Sequence, residues 1–191
     1  MNNRPIRIYI DQGHNPVNPN AGAEAFGLRE QNITYTIGVI CAELFNADPA
    51  FEARLSRPTP QTQLGTSIAS SLRARVDGAN SWGADYFISL HANASTIASA
   101  SGSEAYVYSI NSPAYELGEG ILRGLNESTG LQTRGIFARP TLYVLRMTRM
   151  PAVLVEMGFI TNEEDANLMV NQPDLFAQGI YQGTVAYVKG A

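Results

Sequence analysis

Apolar positions along the chain fall into short runs whose periods alternate between strand-like and helix-like. Ile6–Ile10, "IRIYI", predicts a short buried strand. Residues 15–27, "NPVNPNAGAEAFG", form a loop dense in Asn, Pro and Gly. From about Leu28 the pattern turns helical, with Ile33, Ile37, Ile40, Cys41, Leu44 and Phe45 on one stripe and a stop near Asp48-Pro49. "FEARLSR" (51–57) alternates as a strand does. A second helix runs through Ile68, Leu72 and Val76 and stops at Gly83. Residues 85–90, "DYFISL", predict the next strand, 94–103 a loop of small residues, and "EAYVYSI" (104–110) another strand. Leu117, Ile121, Leu122 and Leu125 mark a helix over 113–128. "TLYVLR" (141–146) and "PAVLVE" (151–156) read as two further strands. Thr161 and Glu164 match the S/T-x-x-E capping box, opening a helix over about 162–170, and a last helix spans roughly 173–188.

Strands alternating with helices, with no repeat, linker or compositional break, predict one α/β domain over 1–191. Its sheet is largely parallel though mixed, with helices on both faces. In such sheets ligands bind beyond the carboxyl ends of the strands. Both histidines of the chain, His14 and His91, stand at those ends, each where an apolar run stops. Glu30 falls in the first turn of the first long helix, three before Ile33 and seven before Ile37, on the stripe facing the sheet. Glu156 emerges directly from the apolar run "AVLV".

Composition narrows the chemistry these residues can serve. A hydrophobic content of 45 % with 16 % charged residues is that of an ordinary globular chain. A net charge of −4 argues against nucleic acid as a partner, since phosphate binding needs a clustered basic surface. The single cysteine, Cys41, excludes an intrachain disulfide and a CxxC pair, and reads as a small core residue. No apolar run reaches the 18 or so residues of a membrane span, and Ile6–Ile10 is too short for a signal-peptide core. The protein therefore acts where it is made, leaves by another route, or is a mature or excised domain.

Two imidazoles and a carboxylate, His14, Glu30 and His91, make a catalytic-type zinc set with a position left open for water, and Glu156 suits the role of base. Bland readings stand beside this one. A histidine at a strand end is commonly structural, and a first-turn glutamate suits the helix dipole. Glu156 is harder to dismiss, because a carboxylate ending an apolar run is unfavourable unless paired or functional.

In order along the chain, "IDQGHNP…NAGAEAFGLREQNITY", "ARLSR", "LRARVDGANSWGADYFISLHANAS", "SGSEAYVY" and "LYVLRMTRMPAVLVEMGFITNEED" resemble the zinc-dependent N-acetylmuramoyl-L-alanine amidases of the amidase-3 type. The resemblance runs from about Ile6 to the end. It implies hydrolysis of the amide between the lactyl group of N-acetylmuramic acid and L-alanine in peptidoglycan, with Zn2+ on His14, Glu30 and His91 and Glu156 as catalytic glutamate. It also implies peptidoglycan as partner, action at the cell wall or outside the cell, and cell-wall-binding modules, if any, outside this chain. Two positions depart from the family's usual pattern, Gln12 in place of Pro and Asn15 in place of Gly.

Other residues carry two readings each. Asp11 is an acceptor for an imidazole N–H or a cap for the loop. Asn93 fixes its loop or touches substrate. Arg134, Arg139, Arg146 and Arg149 grip stem-peptide carboxylates, Arg146 and Arg149 foremost, or form a solvated face. A serine hydrolase lacks its G-x-S-x-G elbow, and Cys41 sits on a buried stripe, which removes a cysteine amidase. A zinc peptidase cutting within the stem would use the same four residues. A binding module that holds cell-wall material without cleaving it would be marked by loss of one of them, and all four positions are filled.

Overall fold

A computed structural model describes residues 4–190. Along the chain it contains β1 (Ile6–Gln12), β2 (Glu24–Ala25), β3 (Leu28–Arg29), α1 (Glu30–Ala47), β4 (Phe51–Leu55), α2 (Ile68–Trp82) and β5 (Tyr86–Asn93). There follow β6 (Ser103–Val107), α3 (Pro113–Thr129), β7 (Thr133–Ala138), α4 (Tyr143–Met147), β8 (Ala152–Phe159), α5 (Glu163–Asn171) and α6 (Pro173–Lys189). The main sheet has the order β4-β1-β5-β8-β6-β7. β4, β1, β5 and β8 are mutually parallel. β6 pairs antiparallel with β8, and β7 runs parallel to β6. The sheet is thus mixed and largely parallel, as the pattern of runs predicts.

Side-chain alternation sends the two halves of each central strand into two cores. Ile8, Ile10, Ile88, Leu90, Val153 and Val155 face α1, α3 and α6. Tyr9, Phe87 and Leu154 face the other way, against Val76 and Ala79 of α2 and Val144 and Leu145 of α4. Because α1 and α2 leave β1 and β4 on opposite faces, a crevice opens past the carboxyl ends of β1 and β5, where the connections diverge.

The structure departs from the sequence pattern in five places. "TLYVLR" is not a strand: Leu142 O accepts from the N–H groups of both Leu145 and Arg146, which closes a helical turn. Its β-prone residues are overruled by the packing of α4 on α2 and β8. β7 was not expected, because "TRGIFA" is an edge strand that is exposed over most of its length and carries no buried alternation. The capping residue of α5 is Asn162, whose side chain accepts from the N–H groups of Glu164 and Asp165; the hydroxyl of Thr161 instead accepts from Ser95 N at 2.9 Å. Ile68, at the first turn of α2, is 60 % exposed rather than part of the buried stripe. β8 also continues past Glu156 to Phe159. The stop of α2 at Gly83 holds, with φ 69 in the left-handed region that glycine adopts freely.

The last helix is seated unusually closely. A Cβ added at Gly124 would lie 2.1 Å from Gly179 O, and one at Gly183 2.1 Å from Gly120 O, so α3 and α6 meet backbone to backbone. Alanine at Gly124 gains about 1 kcal/mol in helix propensity, but overpacking against a fixed backbone typically costs about 1–3 kcal/mol beyond what such gains offset. Gly124→Ala is expected to lower Tm by roughly 5 °C in a thermal melt; an unchanged Tm would show that the seam is looser than described.

Candidate metal centre

Three ligand-type side chains converge at the rim of the crevice. The Nε2 atom of His14 lies 3.1 Å from Glu30 Oε1, and Nδ1 of His91 lies 3.0 Å from the same oxygen. The two imidazole rings meet edge-on with centroids 4.9 Å apart. One ligand atom from each of the three residues lies within 4.8 Å of the others. β1 delivers His14, β5 delivers His91, and the first turn of α1 delivers Glu30, as the sequence suggests.

The surrounding backbone fixes these positions. His14 has φ 68, a left-handed conformation that non-glycine residues rarely hold without support. That support comes from Gly13 N bonding Leu90 O at 2.9 Å, Thr34 Oγ1 bonding Gly13 O at 2.9 Å, and Arg75 Nη2 bonding His14 O at 2.6 Å. A Cβ on Gly13 would stand 2.5 Å from His91 Cε1, so only glycine lets the two histidine-bearing segments approach. Glu30 is equally constrained: Ala23 N donates to its Oε2 at 2.9 Å and Ala92 N to its Oε1 at 3.1 Å.

Electrostatics separate the two glutamates. Burial acts to raise the Glu30 carboxyl, but hydrogen bonds from His14 and His91 outweigh it and hold the group well below the usual carboxylate range. Burial pushes Glu156 the other way, up to about 8, and repulsion from Glu30 and Glu104 adds to it. Glu156 stands beside His91 in the β5–β8 register, and its sealed Oε2 has no hydrogen-bond partner among the described residues.

Two imidazole nitrogens and an ionised carboxylate on adjoining elements suit a divalent transition metal of zinc type. The side chains of His14 and His91 are 22 % and 19 % exposed, so one side of the cluster faces solvent, as a site that admits substrate requires. A cleft of about 140 Å³ lies against both histidines, walled by Leu72, Leu142, Val144 and Leu154.

The amidase-3 family pattern, described as N-acetylmuramoyl-L-alanine amidase, matches residues 8–186. The chain belongs to the amidase-3 family. It is 34 % identical over 95 % of its length to the N-acetylmuramoyl-L-alanine amidase LytC of Bacillus subtilis, of which it covers 35 %. It is 33 % identical over 93 % of its length to the amidase CwlM of Bacillus licheniformis, of which it covers 65 %. The chain thus spans between about a third and two thirds of these relatives. Among solved structures, an N-acetylmuramoyl-L-alanine amidase from Clostridium difficile 630 superposes with a TM-score of 0.87 at 26 % identity, covering 97 % of this chain and 98 % of that one.

The two departures from the usual amidase-3 pattern are buried and fully employed. Gln12 bonds Arg57 N and Arg57 O through its side chain, while Asn15 bonds Pro19 O, Leu64 O and Leu64 N. Both stitch the His14 loop to the 56–64 segment. Asp11 takes neither of its expected parts: its carboxylate pairs with Arg75 at 2.6 Å and accepts from Ser89 Oγ at 2.7 Å. Arg75 was missed, although it falls three after Leu72 and four before Ala79, on the buried stripe of α2. Asn93 holds structure, donating to Glu104 Oε1 at 2.9 Å and accepting from Ala94 N at 2.8 Å. Arg146 and Arg149 are not brought to the cluster. They are exposed in the segment that precedes β8, and Arg146 lines a groove with Met150 and Ala152 at the strand's opposite end.

Proposed function

We propose that this amidase-3 chain hydrolyses the amide joining the lactyl group of N-acetylmuramic acid to L-alanine in peptidoglycan, using zinc held by His14, Glu30 and His91. The observation that carries the reading is the convergence of these three side chains beside an unpartnered carboxylate, Glu156, in a chain matched to the family over 8–186. When bound, zinc supplies Lewis acidity toward the scissile carbonyl and the attacking water. Glu30, locked in its ionised form, contributes negative charge and takes no part in proton movement. Glu156 can both take and give a proton near neutral pH, so its carboxylate accepts one from water and returns it to the departing alanine nitrogen. Water adds across the C–N bond, giving a lactyl carboxylate and a free amine. The apolar walls of the cleft suit the methyl groups flanking that amide.

The proposed place of action is the cell wall or the space outside the cell. Among the described residues no helix is long and apolar enough to cross a membrane. Binding modules elsewhere in a longer protein are compatible with the shorter span of this chain relative to its relatives.

Digestion of purified peptidoglycan, with and without a chelator, tests the reading. Stem peptides with a free N-terminal alanine are expected by mass spectrometry, at a rate that chelation abolishes and added Zn2+ restores. Cuts confined to the interior of the stem would instead mark a peptidase built on the same four residues. Zinc binding with no released product would leave a binding module.

A further inference from the structure

One row of residues crosses the sheet from the metal ligands to its edge. Strand register sets His91 level with Glu156, Glu156 level with Glu104, and Glu104 level with Gly135, the neighbour of Arg134. Glu156 and Glu104 are directly opposed on adjacent strands, so their side chains leave the same face. Glu104 is saturated there, accepting from Asn93 Nδ2, Tyr106 Oη and Arg134 Nε.

Arg134 is held at the metal end of this row. Its Nε lies 2.8 Å from Glu104 Oε2, and its Nη1 donates at 3.2 Å to Ser101 O, just ahead of β6. Its guanidinium carbon stands 4.9 Å from the ring centroid of Phe159, the last residue of β8. The strands β1, β5 and β8 are parallel, so Phe159 lies on the side of Glu156 toward which β1 and β5 deliver the histidines. Among the described residues Nη2 has no acceptor, and the side chain is 40 % exposed. A carboxylate, a carbonyl and a ring thus fix the guanidinium while part of its fork stays open to solvent. Such preorganisation lowers the entropy lost when the fork engages an anion.

The proposed chemistry decides which arm of the substrate reaches it. The scissile carbonyl belongs at the metal ligands, and Glu156 returns a proton to the amide nitrogen. The bond is therefore aligned from His91 toward Glu156, and the peptide that leaves with the nitrogen continues over β6 and β7. The muramic sugar, attached on the carbonyl side, extends the other way. Arg134 stands two strands from Glu156, and its side chain reaches back to Glu104, one strand away. At about 4.8 Å per strand, the guanidinium lies roughly 5–10 Å from Glu156. An extended peptide advances about 3.3–3.6 Å per residue, so the alanine and the residue after it fill that span. Glu104 is already met by three donors, which leaves the open N–H groups of Arg134 for a second carboxylate.

Resting on the reading of the site as a muramoyl-peptide amidase, we infer that Arg134, clamped by Glu104, Ser101 and Phe159, binds a free carboxylate on the stem residue that follows the alanine. The chain accordingly favours stem peptides in which that carboxylate is not amidated.

The test uses two synthetic muramoyl peptides, alike except that this carboxylate is free in one and amidated in the other. The parent chain is expected to show a KM about tenfold lower for the acid, the gain of one charge-assisted pair. In Arg134→Gln the two KM values should converge, whatever change in kcat follows from the altered partner of Glu104. Arg134→Lys keeps a cation against Glu104 but lacks the planar fork, so it should hold only part of the ratio. A role confined to bracing Glu104 would move kcat on both substrates and leave the KM ratio as it was. Calorimetric titration of the two free stem peptides, acid and amide, into the parent chain and Arg134→Gln reads the same discrimination without turnover.

A tenfold ratio that persists in Arg134→Gln overturns the inference, as does a ratio near one in the parent chain. If neither muramoyl peptide is cleaved while the titration shows an acid preference that Arg134→Gln loses, the amidase reading fails and the carboxylate site stands. Cleavage of both with equal KM, and no preference in the titration, removes the carboxylate site and leaves the amidase reading standing.

Discussion

Glu156→Gln is expected to reduce release of stem peptides by about 10²- to 10⁴-fold, the usual contribution of a positioned general acid–base, while leaving metal content unchanged. The substitution is close to isosteric, and among the described residues Glu156 Oε2 makes no hydrogen bond that the amide would break. Glu156 lies outside the group formed by His14, Glu30 and His91, so those three keep their mutual distances. The change therefore removes proton transfer and little else. Zinc measured by elemental analysis after dialysis, together with product release from peptidoglycan, checks it. A zinc-loaded Glu156→Gln protein that retains parental turnover would remove Glu156 from the base role. The opposite pattern, loss of zinc with loss of activity, would place Glu156 among the ligands.

Asp11→Asn should be the most damaging single change to stability away from the metal ligands. Asp11 and Arg75 are each 1 % exposed and joined at 2.6 Å. Removing the carboxylate's charge leaves a guanidinium buried without a counter-charge, which costs about 3–5 kcal/mol. For a chain of this size that lowers Tm by roughly 10 °C or more. Arg75 also donates to Gln12 O and His14 O, both at 2.6 Å, so the strained His14 loop should loosen and metal affinity fall with stability. Replacing both partners with neutral side chains is expected to recover part of the loss.

The pH dependence follows from the same pair. Burial acts to raise the Asp11 carboxyl, but Arg75 and the Ser89 hydroxyl outweigh it and hold the group below its ordinary value. A carboxyl lowered in the folded state contributes stability that is fully present above the unfolded value, about 3.9, and is lost as pH falls through the folded value. Melts of the chelator-treated protein between neutral pH and pH 3 should show a steeper acid limb for the parent than for Asp11→Asn. Equal Tm values for the two proteins at neutral pH would show that the pair contributes no net stability.

What could be read from the sequence follows the reach of each interaction along the chain. β1, α1, β5 and β8 announce themselves because their burial is written in local periodicity, and His14, His91 and Glu156 are legible as polar residues abutting apolar runs. β7 is not, since an exposed edge strand has no buried face to encode. α4 is not, since its helical form depends on packing against α2 and β8. The parts that hold the cluster together were hidden for a related reason. Arg75 meets Asp11 across 64 positions, and Glu104 faces Glu156 only once β6 turns back beside β8. Proximity in sequence points to Arg146 and Arg149 as substrate residues, whereas Arg146 lines a groove with Met150 and Ala152 at the start of β8.

Cys41 sits wholly out of solvent on α1, its sulfur 3.9 Å from Ala177 O of α6, and burial pushes its thiol well above the ordinary range. As the only sulfhydryl in the chain, it is an intrinsic probe of opening: a thiol reagent can reach it only when α1 and α6 separate or the whole domain unfolds. Labelling rates followed by intact mass would therefore report the frequency of that separation in the unmodified protein. Compared before and after metal is supplied, they would show whether occupancy at one rim of the sheet steadies a helix seam on its far face.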